Sequence, residues 1–112
     1  VELWLGVCNL RLCRPNKPDN NPLHRDVYLP RLRDMINIYV SIAGSNAASS
    51  LGIIPGSHKW PESDIMRTAD SAMLGGRKFS VPAVVEVRRS SAEAKVQRPN
   101  PRSDECLVFF ND

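Results

Sequence analysis

The sequence is short of cysteine, of aromatic side chains, of long apolar runs and of charge of one sign, and each shortage removes a class of protein. Cys8, Cys13 and Cys106 are the only thiols among 112 residues. An odd and sparse set does not build a disulfide scaffold and suits a reducing compartment, so a cytoplasmic protein is expected. No apolar run approaches the ~20 residues of a membrane-crossing helix. No charged-then-apolar leader opens the chain, so nothing in it reads as a secretion signal. The 15 Lys and Arg against 12 Asp and Glu give a net charge of +3. The basic residues are spread from Arg11 to Arg102, in pairs at most, with few aromatics between them. That pattern lacks the dense stripe of a nucleic-acid surface, although a mild positive balance suits a small carboxylate or phosphate.

What is present is ordinary globular composition, 42% apolar and 24% charged, enough for one domain or part of one over residues 1–112. The first residue is Val1, and an apolar strand pattern ends close to Asp112, so the expected domain is a partial one. Leu3 to Cys13 alternates in a strand period, and Leu23 to Tyr28 is a second strand candidate. Cys8 and Cys13 then fall on opposite faces of one strand, as buried and inert thiols rather than a shared zinc site. Met35 to Ala43 alternates most cleanly, with Ile36, Ile38, Val40 and Ile42 on one face and Asn37, Tyr39 and Ser41 on the other. Leu51 to Ile54 reads as a short strand stopped by the Pro55-Gly56 turn, and Pro61 to Ala69 as a short helix or a single helical turn. Gly75-Gly76 marks a turn, with Arg77 and Lys78 a solvated part of it. Phe79 to Val87 is a Val-rich strand in which Pro82 implies an edge or a bulge. Pro99-Asn100-Pro101 is a hinge before the last strand, which ends in Leu107 to Phe110. Many short strands with frequent turn signals indicate an all-β sandwich, barrel or jelly roll.

Two short segments could carry chemistry. In His24-Arg25-Asp26, a strand would project His24 and Asp26 to the same face. An imidazole beside a carboxylate can hold a divalent metal, and two histidines with one carboxylate form the facial arrangement of non-haem Fe(II) sites. The plain alternative is a polar pair on an exposed strand. In Ile53 to Trp60, His58 could be a ligand, a base or a loop residue, where Pro55-Gly56 makes the turn and Ser57 and His58 fix it by hydrogen bonds. Trp4 and Trp60 read as packing residues.

Taken in order, H-x-D, then the strand with Asn37 and Tyr39, then Ser-Ser-Leu-Gly-Ile-Ile-Pro-Gly-Ser-His resembles the phytanoyl-CoA dioxygenase family. The resemblance runs from about Asn9 to Asp112, and Asp104 to Phe110 resembles the strand that leads to that family's distal metal histidine. It implies an incomplete double-stranded β-helix, a cupin-like jelly roll. It also implies an Fe(II)- and 2-oxoglutarate-dependent dioxygenase, an oxidoreductase that hydroxylates a small molecule with O2 while 2-oxoglutarate is decarboxylated to succinate. On that basis His24 and Asp26 are the first two metal ligands and catalytic residues, and Tyr39 with Asn37 lies beside the cosubstrate on the barrel's inner face. The third ligand, a histidine, and the arginine that grips 2-oxoglutarate are expected beyond Asp112, so these 112 residues alone are expected to be inactive. His58 matches a loop histidine that is not a ligand, and Arg25 is structural or part of the substrate rim. A carboxylate at Asp26 favours hydroxylation over halogenation, where relatives carry a small residue. The other readings are a cupin-like binding barrel without chemistry and an inactive partial barrel with exposed sheet edges that aggregates.

Overall fold

The computed structural model describes residues 8–14, 21–26, 35–74 and 76–110. Over them the chain is strand-rich, with three small antiparallel sheets and no α-helix. Strand β1 (Ile36–Val40) pairs with β6 (Cys106–Phe110), placing Asn37 opposite Phe109 and Tyr39 opposite Leu107. Strand β2 (Ile65–Arg67) pairs with β5 (Val84–Val87), with a register shift between Met66 and Arg67. Strands β3 (Ala72–Leu74) and β4 (Arg77–Phe79) form a hairpin. Gly76 in its turn has φ 74°, left-handed backbone that a Cβ disfavours.

The alternation over 35–43 produces a shorter strand than expected, but with the expected two faces. Asn37, Tyr39, Leu107 and Phe109 lie on the half-buried face of the β1–β6 sheet. Ile36, Ile38, Val40, Cys106, Val108 and Phe110 lie on the open one. Ser41, next in the polar series, is buried. The final strand forms where its apolar run predicts.

Other expectations need correction. Residues 8–13 form no strand, and Cys8 and Cys13 are exposed, as is Cys106. Leu10 and Leu12 are exposed beside them, so no sheet packs there, and alternation without a paired neighbour does not hold an extended chain. Residues 23–26 are not a strand either. The rest of those two candidates, with Trp4, lies outside the described residues. Leu51–Ile54 reduces to one antiparallel bridge between Ile53 and Gln97. The run from Phe79 to Val87 is broken. Phe79 ends β4, Pro82 is buried between strands, and β5 begins at Val84. Proline has no N–H for a ladder, so it divides the run instead of bulging it. Arg77 and Lys78 are exposed but belong to β4, where the Arg77 guanidinium lies 5.2 Å from the Phe79 ring centroid.

Of the short helix or single helical turn expected over Pro61 to Ala69, the single turn forms, as 3-10 turn Glu62–Asp64, and β2 takes up the residues after it. Arginines grip this turn. Arg67 donates to Glu62 Oε2 at 2.7 Å, Arg89 pairs with Asp64, and the backbone N–H of Arg88 donates to Asp64 O at 2.8 Å. After β5, Ser90 and Glu93 cap each other reciprocally, the Ser-x-x-Glu device that starts a turn of helix. Asn100, between two prolines, adopts φ 48° and accepts from Ser45 Oγ at 2.9 Å, so the expected hinge is a pinned corner. The core is small. Ala72, Phe79 and Ala83 pack together with Val81 against them. No helix among the described residues is long and apolar enough to cross a membrane.

Candidate functional site

The segment 22–26 belongs to no strand, so its residues are held by separate contacts. Buried Pro22 gives its carbonyl to His24, whose Nδ1–H donates to it at 2.7 Å. The Leu23 carbonyl accepts from the N–H of Val84 in β5 at 2.7 Å. Arg25 reaches residues 57–62, and Asp26 Oδ2 accepts from Asn37 Nδ2 in β1 at 2.9 Å. Three parts of the fold outside the segment, β5, residues 57–62 and β1, therefore hold it in place, while Arg25 Nε stays buried without a hydrogen-bond partner among the described residues.

The result brings His24 and Asp26 together by a route the sequence did not suggest. His24 Nε2 stands 3.3 Å from Asp26 Oδ1, with side chains 23% and 37% exposed. The i, i+2 relation is kept, but the loop makes it, not a strand. Pro22 O can only accept, so Nδ1–H donates to it, and the bond from Nε2–H to Asp26 is made by the doubly protonated imidazolium; when the ring loses a proton it comes from Nε2, which is then left facing the carboxylate. The hydrogen bond to Asp26 raises the His24 pKa above its ordinary value, against the opposing effect of burial. The same bond lowers the Asp26 pKa, with burial opposing and the Asn37 amide assisting.

Those two shifts have opposite signs in pH. The contribution of His24 to stability is complete below its unfolded pKa and lost as pH rises through the raised folded value. That of Asp26 is complete above its unfolded pKa and lost as pH falls through the lowered folded value. Their joint contribution should therefore be greatest between about pH 4 and about pH 6.5. A partly exposed pair is worth under about 1 kcal/mol. Urea unfolding from pH 3 to 9 of the native chain and Asp26→Asn measures it. Parallel stability curves for the two proteins would contradict the ion pair.

Asn37 and Tyr39, expected beside a cosubstrate, share the half-buried face of β1, and the Asn37 amide orients Asp26. His58 sits in a separate 3-10 turn, Ser57–Lys59. The turn is closed by backbone bonds from Lys59 N–H to Gly56 O at 3.1 Å and from Trp60 N–H to Ser57 O at 3.0 Å. The His58 ring lies 5.3 Å from that of Phe110, on the sheet face opposite to Asn37. Gly56 enters this turn at φ 79° with nothing within 4 Å of an added Cβ. Gly56→Ala should then cost about 1 kcal/mol from backbone conformation alone. Urea denaturation checks this, and an unchanged midpoint would mean that the turn relaxes.

Arg25 proves structural. Its side chain is 8% exposed, Nη1 donates to Glu62 Oε1 at 2.9 Å, and Nη2 donates to the carbonyls of Ser57 and of Trp60, the latter at 3.0 Å. The two segments singled out by chemistry are thereby joined. Glu62, which sequence reasoning passed over inside a short helix, completes the link with one oxygen on Arg25 and the other on Arg67. No local signal marks it, since Arg25 and Glu62 are 37 positions apart. Trp60 acts as a packing residue, with the Arg89 guanidinium 5.7 Å from its ring centroid.

The pair fits a divalent cation as two adjacent ligands. The imidazole offers Nε2 with Nδ1 held by a carbonyl, and the carboxylate is held by an amide, the supporting contacts that metal ligands need. Among the described residues no third His, Cys, Asp or Glu joins them in a metal-holding group. No family model, no curated protein and no solved structure matches the chain.

Proposed function

We propose that the chain is part of an Fe(II)- and 2-oxoglutarate-dependent dioxygenase on a double-stranded β-helix, acting on a small molecule. The reading rests on the resemblance to the phytanoyl-CoA dioxygenase family. The observation that carries it is the apposition of His24 Nε2 and Asp26 Oδ1 at 3.3 Å with the other imidazole nitrogen committed to Pro22. Iron would be held by Nε2 of His24 and a carboxylate oxygen of Asp26. When bound with 2-oxoglutarate and O2 it supplies the oxidising power for hydroxylating a C–H bond, with succinate and carbon dioxide as coproducts.

The protein's own part is positional. Pro22 O fixes the histidine tautomer, Asn37 aims the carboxylate, and the half-buried face bearing Asn37 and Tyr39 offers polar groups to a cosubstrate. Two ligands alone bind a metal weakly, so an added chelator should raise the affinity. Anaerobic dialysis against Fe(II), with and without 2-oxoglutarate, tests this. The expected result is one Fe(II) per chain, held at least about tenfold more tightly with the keto acid present. Iron uptake indifferent to both 2-oxoglutarate and the His24→Ala change would overturn the assignment.

A further inference from the structure

Arg25 lies between the two residues of the candidate site, yet its side chain leaves them and runs to the His58 turn. A guanidinium this deeply covered needs partners for its charge and its donors. Nη1 and Nη2 take them from the Glu62 carboxylate and from the carbonyls of Ser57 and Trp60, which bracket His58, while Nε is buried without a partner among the described residues. Glu62 is held in turn by Arg67, so the acceptor does not swing freely. Lifting the turn away would strip a buried cation of two carbonyl bonds at once. A planar fork reaches several acceptors together, and a lysine ammonium cannot reproduce that geometry.

We propose that Arg25 is a positioning residue. It seats the turn 57–60 on the segment that carries His24 and Asp26, so that occupancy of the pair by a metal and order in the turn rise and fall together. The inference rests on the metal reading given above and adds a coupling to it. Because such coupling is reciprocal, a cation that stiffens residues 24–26 must also tighten the turn.

The chain has two histidines, His24 and His58, so its imidazole NMR signals report the two segments separately. Substoichiometric Mn(II) should broaden His24 most and His58 less. In Arg25→Lys the broadening of His58 should fall at least about fivefold relative to that of His24, the lower end of ordinary coupling between sites. Arg102→Lys, a change at an exposed arginine, should match the native chain. An unaltered ratio of the two signals in Arg25→Lys overturns the clamp. Absence of preferential broadening at His24 in the native chain overturns the metal reading instead.

Amide exchange then judges the clamp without any metal. The Lys59 and Trp60 N–H groups, which close the turn, should exchange about tenfold faster in Arg25→Lys. Equal rates overturn it. Should that variant fail to fold, the native chain still decides. Saturation with diamagnetic Zn(II) should slow those two amides about fivefold, and exchange rates indifferent to Zn(II) refute the coupling.

Discussion

Asp26→Ala should lower the affinity of the chain for Fe(II) by two orders of magnitude or more, and His24→Ala should do the same. Removing a supporting contact of a metal ligand costs about 10- to 100-fold, and removing one of two ligands must cost at least that much. For Asp26 two effects compete. The carboxylate is the main reason that the His24 pKa is raised, so its loss lets the imidazole shed its proton more readily. That gain is limited to the proton competition relieved, and at pH values above the raised pKa it vanishes. The lost ligand then acts alone, and the deficit of Asp26→Ala should widen from acidic to neutral pH.

Asn37→Ala should show a smaller loss of about tenfold, because it frees the Asp26 carboxylate to rotate without removing it. His58→Ala should leave the affinity within about twofold, since its ring packs on Phe110 at the opposite sheet face. Anaerobic competition with a colorimetric chelator measures all four. If His58→Ala weakened iron binding as much as His24→Ala, the metal would have to be placed in the 57–60 turn, and the pairing of His24 with Asp26 would be an ordinary surface ion pair.

How much of this was legible in the sequence depends on the range of the contacts. The alternation of Ile36 to Ser41 and the apolar run Cys106 to Phe110 each identify a strand, because a period of two is written into consecutive residues. The turns at Pro55-Gly56 and Gly75-Gly76 are local in the same sense. The i, i+2 spacing of His24 and Asp26 correctly brings them together although residues 23–26, the described part of the expected strand, are not extended in a sheet; Pro22 and Asn37 hold them instead. The strand expected over residues 3–13 fails across its described part because extended backbone is stabilised by a neighbour, and a neighbour is not a local property. Arg25 is the extreme case. Its partners lie 32 to 37 positions away, so a lone arginine between two candidate ligands gives no sign of what it holds.

The native 112-residue chain should also self-associate as its concentration rises, through the open face of the β1–β6 sheet. Ile36, Ile38, Val40, Val108 and Phe110 are each more than half exposed on that face, and Ile42 follows at 73%. Directly paired rows, Ile36 with Phe110 and Ile38 with Val108, make the apolar surface continuous across both strands. Contiguous patches beyond about 300–600 Å² are uncommon on monomers and drive association. Among the described residues both strands belong to a two-stranded sheet, so each presents an edge as well as a face there. The double variant Ile38→Lys/Val108→Glu places opposite charges at one cross-strand pair, which keeps an attraction between the strands while making the face polar. Because both side chains already meet solvent, the double change should alter unfolding free energy by no more than about 1 kcal/mol. Phe79→Ala, in the buried cluster, should cost about 3–5 kcal/mol. Sedimentation equilibrium over a wide concentration range should then show mass rising for the native chain and a constant monomer mass for the double variant. A native chain that stays monomeric throughout, or a double variant as damaged as Phe79→Ala, would mean that this face is covered within the folded chain and is not free to meet another.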